Sequence, residues 1–211
     1  MEYSIQGFLF EAALIIPAFL VALSVHEFAH AGMAVFLGDD TPKRHGRLSL
    51  NPLVHIDPLG FLFLLFFRIG WAKPVFFDRR NFKYPKLYSI FTAFAGPISN
   101  FIVAILAFLL LKFMPYNLVP YYAQTTFIQL FQIIAQINVM LGVFNMLPIP
   151  PLDGSHLLTA LLVDKFPQFI FWLQRYSIFM LMFLLIAVPH ARIFLFYAIM
   201  WVYHLLHSLV F

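Results

Sequence analysis

Cysteine is absent from this 211-residue chain, and charged residues make up only 10% of it. The first absence removes disulfides, thiolate metal ligands and a cysteine nucleophile together, and it leaves the redox character of the compartment unreadable. The second removes the solvated surface of a soluble domain. With 63% hydrophobic residues, the apolar surface belongs in lipid, and the chain reads as an integral membrane protein. Neither an internal repeat nor a low-complexity segment is present. The net charge of +4 is not a nucleic-acid signal, because nine of the thirteen Lys and Arg residues fall between positions 43 and 86. Membrane orientation explains that clustering: the basic stretch is expected in the cytoplasm, and the loop at 114–124, which has no Lys or Arg, outside.

What is present is a series of long apolar runs. After a short polar start at 1–7, residues 8–37 supply one long or tilted transmembrane helix, in which Pro17 removes a backbone donor and marks a place for a kink. This run is too long for a signal-peptide core. Further spans are expected at 87–113, 125–146, 166–188 and 192–211, with a tight external turn at Pro189-His190. The run at 61–67 is too short to span and reads as a re-entrant segment. The alternation across 43–50 suits a short membrane-associated β strand or hairpin. The expected fold is therefore an all-α polytopic membrane protein with about five transmembrane helices. One membrane-embedded domain covers 1–211, its core at about 8–160 and accessory helices at about 166–211. If all five are spans, the amino terminus lies outside and the carboxy terminus inside.

The first span contains His26-Glu27-Phe28-Ala29-His30, with three ionisable groups inside one turn of an apolar helix. Two histidines four apart stand on one helix face, within reach of one zinc ion, and Glu27 can reach a water beside it. The pattern also arises by chance on soluble helices. Its place inside a membrane helix, where ionisable residues are costly and functional by default, weighs against chance. A catalytic zinc takes about three protein ligands and keeps an open position. If the first helix runs inward, the second outward and the third inward, Asp153 arrives at the side that holds His26 and His30. Asp is also a favoured helix cap, so capping of the next helix is the other reading of Asp153.

In chain order, HEFAH, GRLSLNPLVHIDPLG, GWAKPV, AGPISN and FNMLPIPPLDG resemble the site-2 protease family of intramembrane zinc metalloproteases, over about residues 20–160. PPLDG with its upstream Asn-x-x-Pro is far more specific than HEFAH. The resemblance implies a three-helix catalytic core and a zinc metalloendopeptidase that hydrolyses peptide bonds in or near transmembrane segments, as in regulated intramembrane proteolysis. It implies one zinc per chain on His26, His30 and Asp153, with Glu27 as catalytic acid/base. The chain looks like a short form, without room for an inserted PDZ domain. The expected partners are single-span membrane protein substrates and the lipid bilayer, with no nucleic acid and no specified oligomeric state. The expected location is the cell membrane of a bacterium, with the active site toward the cytoplasm.

Three further polar residues are candidates for supporting roles. Asn145 is a candidate for the substrate backbone or the developing oxyanion, or else a helix-packing amide. His55 is a candidate second-shell residue, though bracing of its loop is the stronger reading, and His156 is a second candidate for the same layer around the metal. Two other functions use the same residues: a metal transporter or sensor, and a catalytically silent zinc-binding membrane protein. Transport calls for polar groups strung through several helices, whereas here they gather at one side. Zinc binding alone does not call for Glu27.

Overall fold

The computed structural model describes residues 5–67 and 70–211, so residues 1–4 of the expected polar start lie outside the described residues. The described residues form the α-helices α1 (Ile5–Phe36), α2 (Thr41–Arg44), α3 (Pro58–Phe67), α4 (Pro85–Phe113), α5 (Tyr121–Asn145), α6 (Ser155–Leu162), α7 (Pro167–Arg175), α8 (Ser177–Ala187) and α9 (Pro189–Val210). Four of them, α1, α4, α5 and α9, are long and apolar enough to cross a membrane. Their 22 to 32 residues at about 1.5 Å per residue exceed a hydrocarbon core of about 30 Å. The chain is an integral membrane protein. α1 is apolar on all sides, as a helix surrounded by protein and lipid must be, and it runs unbroken through Pro17.

Helices α1, α4 and α5 pack against one another and form the core. Small residues make this possible: Ala18, Ala22 and Ala31 of α1, Ala93 and Ala104 of α4 and Ala135 of α5 are all buried. In lipid there is little hydrophobic drive between helices, so close backbone approach over small side chains supplies the dispersion contact instead. α9 closes the far end, where Phe108 and Leu111 of α4, Val139 of α5 and Val210 share one buried cluster. α6 rests against α4, beside the turn that follows α5.

Three expectations are corrected. The strand or hairpin at 43–50 does not form. Asp39 accepts the Thr41 backbone N–H at 3.0 Å and starts the helical turn α2, whose last two residues are Lys43 and Arg44. The donors beyond it are used locally, Arg47 N–H on the Pro42 carbonyl (2.8 Å) and Ser49 N–H on the Arg47 carbonyl (2.9 Å). Alternation without a neighbouring ladder does not make a strand. Among the described residues the β pairing is a single antiparallel bridge, Ile56 with Ala72. Lys73 N–H to the His55 carbonyl (2.8 Å) reinforces it. That bridge brings together the two ends of the segment bearing α3, so the expected re-entrant stretch enters and leaves at one place.

The fourth expected span, 166–188, is not straight: α7 and α8 meet at Tyr176 with a bend of 64°. The break follows Gln174 and Arg175, where the apolar run is interrupted and a guanidinium would otherwise sit in mid-span. The third correction follows from the second. Lys112, in the last turn of α4, donates to the Val210 carbonyl, and the Phe108 ring meets those of Tyr203 and His207 at 5.2 and 5.3 Å. The carboxy terminus therefore lies at the end of α4 that leads into the 114–120 connection. It does not return to the basic side.

Candidate metal centre

His26 and His30 lie one turn apart on α1 with their rings edge to face, centroids 4.6 Å apart. Gly96 of α4 faces them, and a Cβ at this position would overlap both imidazoles. α4 also fixes each ring. His26 Nδ1 lies 2.6 Å from Asn100 Oδ1, and His30 Nδ1 lies 2.7 Å from the Thr92 carbonyl. Oxygen acceptors at both Nδ1 atoms require the hydrogen to be there, which leaves both Nε2 atoms with a free lone pair.

The third donor comes from the turn after α5. Gly154 N–H donates to the Asn145 carbonyl (2.7 Å), and Ser155 Oγ to the Leu152 carbonyl (2.6 Å), which folds the Pro-rich turn back on the helix end. Gly154 lies so close to the Met146 and Leu147 carbonyls that a Cβ would collide with them. This turn aims Asp153 at the histidines: its Oδ2 is 3.1 Å from His26 Nε2 and 3.3 Å from His30 Nε2, and those two nitrogens are 3.0 Å apart. Asp153 Oδ2 is buried without a hydrogen-bond partner.

Three lone-pair donors pointing at one place repel one another unless a cation lies between them. Their separations suit zinc, since bonds of about 2.0–2.1 Å at tetrahedral angles put ligand atoms about 3.3 Å apart. Two imidazoles and one carboxylate leave a fourth position open, the pattern of catalytic rather than structural sites. The residues present therefore fit the ion.

Glu27 is not one of the three converging donors: it is buried, and its Oε2 accepts the Val75 backbone N–H at 3.1 Å. The other candidates sit outside the cluster. His55 is fully buried in the loop before α3, its Nε2 donating to the Ser49 carbonyl at 2.7 Å, so it braces that loop. Asn145 donates its amide back to the Leu141 carbonyl at 3.1 Å and serves the Asp153 turn through its own carbonyl. His156 accepts from Arg79 at Nδ1 (3.0 Å) and packs on Phe77. Burial, then the Arg79 charge, push its pKa down to about 4, so the ring is neutral and its proton sits on Nε2. The sequence reading missed Asn100, Thr92, Gly96, Val75 and Arg79. Asn100 had a signal, an amide inside an apolar span, whereas Thr92 and Val75 act through backbone atoms and leave none.

Membrane-length helices around a buried His-His-Asp cluster define a polytopic membrane protein with a metal centre. Residues 118–188 match the model of Peptidase family M50. The chain is 44% identical over 144 residues to YwhC of Bacillus subtilis, assigned by name as a zinc metalloprotease, covering 67% of this chain and 66% of that protein. It is 31% identical to Rip2 of Mycolicibacterium smegmatis, similarly assigned, across 67% of this chain and 54% of the relative. Zinc metalloprotease MJ0392 of Methanocaldococcus jannaschii is 32% identical over 84 residues, 40% of this chain and 23% of its own length. The chain thus spans from about a quarter to about two thirds of the relatives it matches. No solved structure matches. The chain belongs to peptidase family M50, the site-2 protease family.

Proposed function

We propose that this protein is an intramembrane zinc metalloendopeptidase that hydrolyses peptide bonds in or near the transmembrane segments of single-span membrane proteins. One observation carries the reading: His26 Nε2, His30 Nε2 and Asp153 Oδ2 converge within 3.3 Å, with both Nδ1 atoms already engaged. A single zinc held there supplies Lewis acidity at its open position toward a water nucleophile and a peptide carbonyl.

Glu27, next to His26 on the same helix, is the group that takes the proton from the attacking water and passes it to the leaving amine. The Val75 N–H holds Oε2 and thereby orients the carboxylate. A substrate helix hides its carbonyls in i to i−4 hydrogen bonds, so the scissile stretch must unwind before it reacts. The basic 43–86 stretch supports a cytoplasmic position for the site in a bacterial cell membrane, since the loop that orients Glu27 belongs to it.

Cleavage of a single-span substrate in liposomes, with zinc content measured alongside, tests the reading. Glu27→Gln is expected to keep zinc and lose at least about 10²–10⁴-fold in turnover. Wild-type turnover by the zinc-loaded variant would exclude the assigned chemistry.

A further inference from the structure

Behind His26 a chain of amides crosses all three core helices. The Asn138 side chain of α5 donates through Nδ2 to the Ile134 carbonyl at 2.8 Å, so its Oδ1 faces outward. That oxygen accepts from Asn100 Nδ2 of α4 at 2.9 Å, and the same nitrogen donates to the Ala22 carbonyl of α1 at 3.1 Å. With Nδ2 doubly committed, Asn100 Oδ1 must face His26 Nδ1, 2.6 Å away. Both asparagines are fully buried. A backbone carbonyl can only accept, so the polarity of the whole chain is set from its outer end. Reversing either amide would put oxygen against a carbonyl. Among the described residues His30 relies on the Thr92 backbone carbonyl directly, with no amide between.

We propose that Asn138 and Asn100 form a relay that positions His26 for the metal: it locks the Nδ1–H tautomer and raises the donor strength of Nε2. Asn138 touches neither histidine, yet it fixes the direction of the amide that does. The relay also makes metal affinity depend on the seating of α5 against α4, the same helix whose end carries the Asp153 turn. Both contributions to the centre from α5, Asp153 and the relay, are thereby set by one helix position. This inference rests on the metalloprotease reading of the cluster.

Zinc affinity, measured by chelator competition in detergent, tests it alongside histidine-ring 15N spectra of the zinc-loaded protein. Asn100→Leu is expected to weaken zinc binding about 10- to 100-fold, the usual effect of removing a partner behind a ligating histidine. Asn138→Leu should weaken it by a smaller factor, about 3- to 10-fold. Asn138→Asp, held as the neutral acid by its full burial, donates its O–H to the Ile134 carbonyl in place of Nδ2, keeps an acceptor oxygen toward Asn100 and should stay within about threefold of wild type. That rescue separates the relay from packing, since Leu fills the site as well. The His26 Nδ1 signal should report a protonated nitrogen in the wild type and in Asn138→Asp. Wild-type affinity in both Leu variants, or equal losses in Asn138→Leu and Asn138→Asp, overturns the relay. His26→Ala serves as the reference: unchanged zinc affinity there would instead sink the reading of the cluster itself.

Discussion

Gly96→Ala is the most discriminating single-atom perturbation of the centre. A Cβ built on Gly96 lies 2.6 Å from His30 Cε1 and 2.7 Å from His26 Cε1. Carbon atoms pack best at about 3.5–4.0 Å, so each ring must retreat by about 0.8–1.4 Å. Metal–ligand distances tolerate only about 0.2 Å. The rings cannot pivot freely, because their Nδ1 atoms are held by Asn100 and Thr92. Nor can α4 back away without cost, since Asn100 and Thr92 ride on that helix and would leave with it. Overpacking costs about 1–3 kcal/mol, partly offset by the ~0.5–1 kcal/mol that Ala gains over Gly inside a helix. The metal-free protein should therefore lose no more than about 2.5 kcal/mol, while zinc binding and turnover fall by about 100-fold or more, the scale of a 1 Å misplacement. Elemental analysis, turnover and thermal unfolding of the same preparation measure the three quantities. Gly142→Ala gives the comparison: its Cβ would press on the Phe101 ring between α5 and α4 and reach the centre only through the seating of α5, so it should cost stability and lose less zinc than Gly96→Ala. Full zinc content and normal turnover in Gly96→Ala would refute the reasoning.

Asp153→Ala should lower zinc content to background while the helical bundle, read by circular dichroism, persists; zinc at one per chain would remove Asp153 from the ligand set. Asp39, fully buried after α1, accepts from Thr41 N–H and Oγ1 and ties in the 78–81 loop through Asp78 N–H (2.6 Å) and Asn81 Nδ2 (2.7 Å). Asp39→Ala leaves these donors without their acceptor and should cost about 2–4 kcal/mol in denaturant unfolding. Burial works against the Asp39 charge, but the hydrogen bonds led by Thr41 and Asn81 prevail and lower its pKa. Its contribution is therefore complete above the unfolded value of about 3.9 and is lost as pH falls through the folded one, so the stability of Asp39→Asn should fall less steeply below about pH 4. Single cysteines replacing Asn117 and Phe211 should be labelled from the same side of the membrane, opposite to one replacing Arg44; labelling of position 211 from the Arg44 side would restore five straight spans.

The spans were legible because membrane helices announce themselves locally. Runs such as 87–113 need no knowledge of neighbours, and α4 starts and stops within two residues of that reading. What failed depended on partners. The alternation at 43–50 has strand periodicity, but a strand exists only where another backbone faces it, and here Asp39 and Pro42 turn the chain into α2. The run at 166–188 has the length of a span, yet its polar pair Gln174 and Arg175 marks the place where α7 gives way to α8. Counting that stretch as one crossing reversed the predicted side of the carboxy terminus. A single misread helix inverts everything after it, whereas Asp153, which precedes the break, kept its place.

The centre divides along the same line. His26 and His30 are a local pattern, fixed by 3.6 residues per turn, and Asp153 follows from counting crossings. Their environment depends on how α4 is rotated about its axis, which a chain this uniformly apolar does not reveal. Rotation of α4 brings Gly96 under the rings and, one turn on, Asn100 behind His26, while Thr92, one turn back, offers its carbonyl to His30. Positions 92, 96 and 100 share one helix face at intervals of four, as do His26 and His30. Two such faces meeting give a ligand pair on one helix and its supports on the other, with a glycine where the two come closest. The spacing was therefore readable on α4 as well as on α1. It was overlooked because two of its three members contribute only a missing side chain and a backbone oxygen, and these carry meaning only once the opposing helix is known.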